Sequence, residues 1–369
     1  MRALRLLFFL CFVAFLSCQQ KFDLVSDAIL ETKLDSVFKA TPDFSGVVLV
    51  ARKGVPVYHK AFGFRNFETQ EPLDTASIFE LASVSKQFTA MTIMMLQEEG
   101  KLQYDDAIEK YIPGLPYPGI TIRHLLNHTS GLPDYQAVMD QHWDKTKVAG
   151  NDDNIEYLKL YRPAKHFEPG DKYEYSNTGY MLLASIAEKT SGKDFIAFCH
   201  ERIFTPLAMS STGIRTKAEK QALPNMAWGH LYVAEKQRYV PADSFPAFNY
   251  AIWLGNRKGP GRVSSTAADL LKWDQALYSE KLVKEETLQQ AFSAATLNSG
   301  KSSAYGFGWM IGEDTGSGAV VMHTGDNPGY KTKIVRYLDQ NRTVIVLCNN
   351  AHPRYGEIVN VIEQLVAGH

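Results

Sequence analysis

The chain has 369 residues, with 39 Lys and Arg against 40 Asp and Glu, and 45% of it is hydrophobic. That length supplies one large core or two smaller ones, and a charge this balanced leaves no basic face for nucleic acid. At 12% aromatic and 21% charged, the chain is neither disordered nor a coiled coil.

The N-terminus is a segment apart. Arg2 and Arg5 precede an unbroken apolar run of eleven residues, Leu6 to Leu16, followed by Ser17 and Cys18. A membrane span needs roughly 20 apolar residues, so the run suits a signal-peptide core over residues 1–17. An ordinary cleavage after Ser17 would put Phe15 at −3, where a small residue belongs. Leu16-Ser17-Cys18 looks instead like a loose bacterial lipobox, in which Cys18 becomes the lipidated first residue. The expectation is an exported lipoprotein anchored to a membrane and facing the periplasm or cell surface, with plain secretion or an uncleaved anchor as alternatives. Cys199 and Cys348 then remain, expected as buried free thiols, and no CxxC or His-x-x-His pattern suggests a metal.

Along the mature chain, Phe22 to Lys39 reads as an amphipathic helix. Gly46 to Ala51 and Val55 to His59 flank the turn Arg52-Lys-Gly54 as a hairpin. A long helix is expected from Ser83 to Glu99, ended by Gly100. The stretch to about residue 300 is mostly helical, and Thr266 with Asp269 has the spacing of a capping box. Beyond it, Tyr305–Ile311, Ala319–Met322, Tyr330–Tyr337 and Thr343–Leu347 are short β-rich runs, with a last helix from Glu357 to Val366. Strands at both ends around a helical middle predict an α+β fold, one antiparallel sheet built from both chain ends and flanked by terminal helices. The expected division is a split sheet domain over 22–84 and 300–369, with a mostly helical domain over 85–299.

Several functional motifs are absent from the sequence: it has no Gly-x-Ser-x-Gly elbow, no GxGxxG and no P-loop. Ser-x-x-Lys occurs twice, at Ser36–Lys39 and Ser83–Lys86, and roughly one or two such matches arise by chance in a chain this long. Context separates the pair. Lys39 ends a polar helix, whereas Ser83 opens a helix whose next turns, Phe88 to Leu96, are apolar enough to be buried. There Lys86 lies one turn beyond Ser83 on the same face, and desolvation would lower its pKa so that it could take the Ser83 proton. Two further patterns follow in order, Tyr175-Ser-Asn177 and His323-Thr-Gly325.

This trio resembles the penicillin-recognising serine hydrolases: β-lactamases, D-alanyl-D-alanine carboxypeptidases and related esterases. His124 to Asp134, Gly261 to Asp269 and Pro328-Gly-Tyr330 are also similar to the class C-like branch, so the resemblance spans the mature chain. It implies a β-lactamase/transpeptidase-like fold and an acyl-enzyme formed on an amide, ester or β-lactam without a cofactor. By the same resemblance Ser83 is the nucleophile and Lys86 its proton-relay partner. Tyr175 is the base, or shares that role with Lys86, its phenol being lowered by Lys86 and a charged His323. Asn177 would bind Lys86 and the substrate amide, and His323, Thr324 and Gly325 would lie along the substrate. The amides of Ser83 and Asp326 would form the oxyanion hole. His323 stands where efficient β-lactamases carry Lys, which points to carboxypeptidase- or esterase-like members. His124, His128, Asp134 and Trp253 are read as structural, while Asn349 and Asn350 are weak candidates for the cleft. The alternative is a catalytically silent relative, kept as a sensor or scaffold.

Overall fold

The β-rich runs from the two ends of the chain meet in one antiparallel sheet. The computed structural model of the chain describes residues 27–312 and 318–368; the signal segment, Cys18 and the start of the helix expected from Phe22 lie outside them. Strand β1 (Gly46–Arg52) turns through Lys53 and Gly54, at φ 49° and 75°, into β2 (Val55–Phe62). Two consecutive positive φ values match the right-handed twist of the flanking strands, which is why a glycine sits in this turn. Strands β3 (Met310–Ile311), β4 (Val320–Asn327), β5 (Tyr330–Tyr337) and β6 (Arg342–Cys348) complete the sheet in the order β3-β4-β5-β6-β1-β2. Gly46 lies opposite Cys348, so β1 is zipped to the last strand. Of the run Tyr305–Ile311 only the last two residues pair as strand. Phe307 donates instead to Ala291 O and Gly306 to Trp309 O, which pulls the rest into a loop.

Between β2 and β3 lie the helices that position the site. A 3₁₀ turn, Ala82–Ser85, runs directly into helix α2 (Lys86–Glu98), buried from Lys86 to Leu96. Helix α3 (Asn177–Ser191) starts where the Ser176 side chain accepts the Gly179 amide. Helix α4 (Ala267–Ala276) starts where Thr266 accepts the Asp269 amide. The return half of the capping box is not made. Asp269 turns its carboxylate to the Ser211 amide, the Thr212 hydroxyl and Lys272, because these donors tie the helix to another loop. The Phe88 ring of α2 packs 4.6 Å from Trp273 of α4, and a buried Arg336–Asp274 pair fastens α4 to β5. That carboxylate also accepts from Thr343 of β6, so both its oxygens are used, as a buried charge requires.

The chain separates into two compact units, 45–352 and one made of the residues up to Phe44 and from Pro353 onward. The smaller unit contributes helix α1 (27–39) and helix α5 (Tyr355–Ala367). Helix α1 buries Leu30, Leu34 and Phe38 at four-residue spacing, the apolar stripe of an amphipathic helix. Among the described residues no helix is long and apolar enough to cross a membrane.

Candidate active site

Ser83 is presented by a strained elbow. Ala82, the residue before it, sits at φ 50°, a conformation that costs a non-glycine residue about 1–3 kcal/mol and persists only when its surroundings enforce it. The enforcement is visible. Leu81 donates its amide to Val263 O and accepts from the Thr332 hydroxyl of β5. Gly325 of β4 lies directly beneath, where an added Cβ would stand 2.2 Å from Leu81 O and 2.3 Å from Thr332 Oγ1. The glycine of the third motif is thus required by a close backbone approach, and that approach sets the spacing between Ser83 and β4.

Lys86 is fully buried and satisfied on three sides. Its Nζ lies 3.2 Å from Ser83 Oγ, donates to Asn177 Oδ1 at 2.9 Å and to Pro260 O at 2.8 Å, and is 4.7 Å from the centre of the Tyr175 ring. Burial holds its pKa well below the ordinary lysine value, and the nearby Arg257 guanidinium pushes it in the same direction. No carboxylate is among its hydrogen-bond partners in the described residues. A neutral amine here keeps its donors for Asn177 and Pro260, which accept only, and turns its lone pair to the Ser83 hydroxyl.

Tyr175 stands beside this pair, its hydroxyl buried and without a hydrogen-bond partner of ordinary geometry among the described residues. Burial raises its pKa far above that of a free phenol, opposed only in part by Ser83. His323 donates from Nδ1 to Thr324 O at 2.6 Å, since a carbonyl only accepts, and its Nε2 therefore accepts from the Tyr305 hydroxyl at 2.8 Å. Burial, with Lys86 nearby, pushes its pKa down to about 3. Two expectations are corrected by this. His323 is neutral and enclosed rather than a cation facing the substrate, and the Tyr175 phenol is raised rather than lowered, because neither residue gains the charged partner or solvent that ionisation needs.

The remaining motif residues lie along β4. Thr324 and Asp326 are exposed, Asp326 pairing with Lys331 at 2.7 Å. Strand β3 pairs only with Val321 and Met322, so β4 from Thr324 onward has an open edge. The Gly312 amide donating to Val320 O sets the phase of that edge, and the alternation of antiparallel pairing turns the Asp326 amide outward there. The Ser83 amide, in the first turn of its helix, likewise has no intrahelical acceptor. Asn349 and Asn350 do not join the site. Asn349 is buried, with Ser45, Phe64 and Trp228 using its amide, and Asn350 bonds Tyr239.

Three contributors escaped the sequence. Pro260 O and Arg257 come from the loop before β-strand Val263–Ser265, adjoining a stretch that does carry a family signature, and Tyr305 comes from the loop before β3. Only the tertiary packing shows that they converge. His128, read as structural, accepts the Ser176 amide and packs its ring 4.3 Å from Tyr175, so it supports the tyrosine from behind. Asp134 and Trp253 also have structural places, Asp134 accepting the Gln136 amide at a helix start and Trp253 being buried.

An α+β frame with Ser83 and a buried lysine at the foot of a helix, beside an open strand edge, defines a serine hydrolase of penicillin-recognising type. The Beta-lactamase family model matches residues 34–367, and the chain belongs to that family. It is 41% identical over 307 residues to a penicillin-binding protein of Bacillus subtilis (strain 168), covering 83% of this chain and 68% of that protein. It is 28% identical over 311 residues to a D-aminopeptidase of Brucella anthropi, covering 82% of this chain but only 56% of that protein. Among solved structures, the octameric penicillin-binding protein homologue from Pyrococcus abyssi aligns with a TM-score of 0.76 at 27% identity, over 92% of this chain and 77% of that one.

Proposed function

We propose that this chain hydrolyses small amides, esters or peptides through an acyl-enzyme at Ser83, with neutral Lys86 as the base. The carrying observation is the 3.2 Å contact between Ser83 Oγ, half-buried, and the Nζ of a fully buried Lys86 with no carboxylate bonded to it among the described residues. Lys86 takes the hydroxyl proton as Ser83 Oγ attacks the substrate carbonyl, and the amides of Ser83 and Asp326 receive the oxyanion. The Asn177 Nδ2 is left for the substrate amide, because its Oδ1 is committed to Lys86. Tyr175, held protonated, passes a proton to the departing amine or alcohol and is recharged from Lys86. Water then cleaves the Ser83 ester by the reverse path, releasing the acid and restoring the hydroxyl.

A neutral, enclosed His323 gives no cation for a β-lactam carboxylate, which favours amidase- or esterase-like turnover over efficient β-lactam hydrolysis. The sequence Leu16-Ser17-Cys18 supports export and lipid anchoring at Cys18 to the periplasmic or outer face of a bacterial membrane. Loss of membrane association in Cys18→Ser is the expected result there, and retention would count against the anchor.

The mechanism is tested by intact-protein mass spectrometry after brief exposure to penicillin, for wild type and Ser83→Ala. A covalent adduct on the wild type alone is expected, alongside ester hydrolysis that disappears in the variant. Hydrolysis that survives Ser83→Ala would overturn the assignment.

A further inference from the structure

Beside the elbow opens a cleft of about 560 Å³ whose near wall includes Arg257, Arg262 and Asn327. It does not contain Ser83 but begins one residue past Asp326. Four cations and three carboxylates line it: Lys217, Lys220, Arg257 and Arg262 against Glu68, Glu80 and Asp243. Lys217 is paired with Asp243 and Lys220 with Glu80. The two arginines nearest the elbow have no carboxylate partner among the described residues. Arg262 spends its guanidinium on the carbonyls of Arg215 and Arg257.

Arg257 is the more telling of the two. Its Nη1 donates to the Tyr135 hydroxyl at 2.6 Å. Its Nε is buried with no hydrogen-bond partner, and Nη2 makes none with the described residues. Nε–H and the outer Nη2–H point the same way and form the fork that fits a carboxylate with two parallel bonds. A buried, unmatched donor of this kind is costly unless something arrives to accept from it. The fork is close to the chemistry: a Cβ at Gly261 would lie 3.9 Å from Nη2 and 3.7 Å from Ala82 O.

The direction of the substrate follows from the strand. Tyr175, which protonates the leaving group, is at the His323 end of β4, with ring centres 6.2 Å apart. The leaving group therefore departs toward His323, and the acyl portion extends past Asp326 toward Asn327 and the cleft. We infer that Arg257, backed by Arg262, binds a carboxylate carried on the acyl side of the scissile bond, making this chain selective for acidic acyl donors. The inference rests on the acyl-enzyme reading above.

The test compares 4-nitrophenyl monoesters of adipic and suberic acid with the same diesters carrying a methyl ester at the far end, which removes only the charge. Wild type should favour at least one acid over its methyl ester by about tenfold or more in kcat/KM, the worth of a charge-assisted pair. In Arg257→Gln that ratio should fall to about one; the ratio is the readout, because losing the Arg257 charge also raises the Lys86 pKa and so changes the rate on acid and methyl ester alike. Arg257→Lys should recover only part of it, since a point charge lacks the fork. If Arg257→Gln does not fold, Arg262→Gln should lower the ratio in a chain that still turns over the methyl esters. An unchanged ratio in a folded variant, or no preference in wild type, overturns the inference. Absence of Ser83-dependent turnover on every ester overturns the acyl-enzyme reading instead.

Discussion

Ser36–Lys39 and Ser83–Lys86 have the same spacing on helical segments of one chain, and their surroundings could hardly differ more. Ser36 is exposed, its hydroxyl folded back onto Thr32 O at 2.9 Å, and Lys39 is exposed near the end of α1. Lys86 is sealed beneath aromatic rings with only neutral acceptors around it, and Ser83 is pushed out of a strained turn toward an open strand edge. The motif is therefore a statement about which side chains are one helical turn apart, and nothing more. Reactivity comes from desolvating the amine and from the backbone donors that surround the hydroxyl.

The comparison can be broken most directly by deleting each serine. Ser83→Ala should lower ester turnover by about 10⁴-fold or more with the fold intact by circular dichroism. Lys86→Met should cost about 10³-fold. In wild type the activity should rise with pH as Lys86 loses its proton, and that limb should lie well below the titration of a free lysine. A limb only near the free lysine value would remove Lys86 as the base.

Gly325→Ala tests the elbow without touching a reacting group. Its Cβ collides with Leu81 O, so a loss of about 1–3 kcal/mol in urea unfolding and about 10²-fold in kcat is expected. Normal activity would mean that the strand does not hold the elbow in place. His323 offers a sharper probe of burial. It takes its proton near pH 3 when folded and near 6.5 when unfolded. Between those values the unfolded chain binds more protons, so stability falls as pH is lowered from about 6.5 toward 3. His323→Gln should flatten this slope, leaving the shares of His128, His59, His124 and His230, whose pKa values burial lowers too. A slope unchanged by the substitution would show that His323 is not enclosed as described. Smallest of all, Ser36→Ala and Lys39→Ala should each change stability by no more than about 0.5 kcal/mol and leave turnover untouched, as measured by the same assays.

Much of the frame was legible because local rules dictate it. The Lys53-Gly54 turn, the strand Tyr330–Tyr337 and the helix ending at Gly100 follow from turn chemistry and periodicity, which act over a few residues. The loop Tyr305–Trp309 misled, since its apolar, aromatic composition suits a strand while its backbone bonds Ala291, Ala295, the Asn127 side chain and itself. His323 misled in another way. Its type announces a group that titrates near neutrality, but Tyr305 and the Thr324 carbonyl occupy both its nitrogens, and burial does the rest.

By itself, the sequence determined the family, the order of the three motifs and which serine could be reactive, because these depend on residue identity and short-range spacing. The apolar turns from Phe88 to Leu96 already marked Lys86 as the desolvated member, whereas the tertiary structure alone decided that His323 is neutral. It also decided that Gly325 is a point of close backbone contact, and that Arg257 lines the cleft with its Nε unpartnered among the described residues. Each of those outcomes depends on groups far apart in the chain that exclude water from one another. A local apolar run can mark a helix as buried, as it did for Lys86, but which distant groups enclose a side chain is a property of the packed assembly.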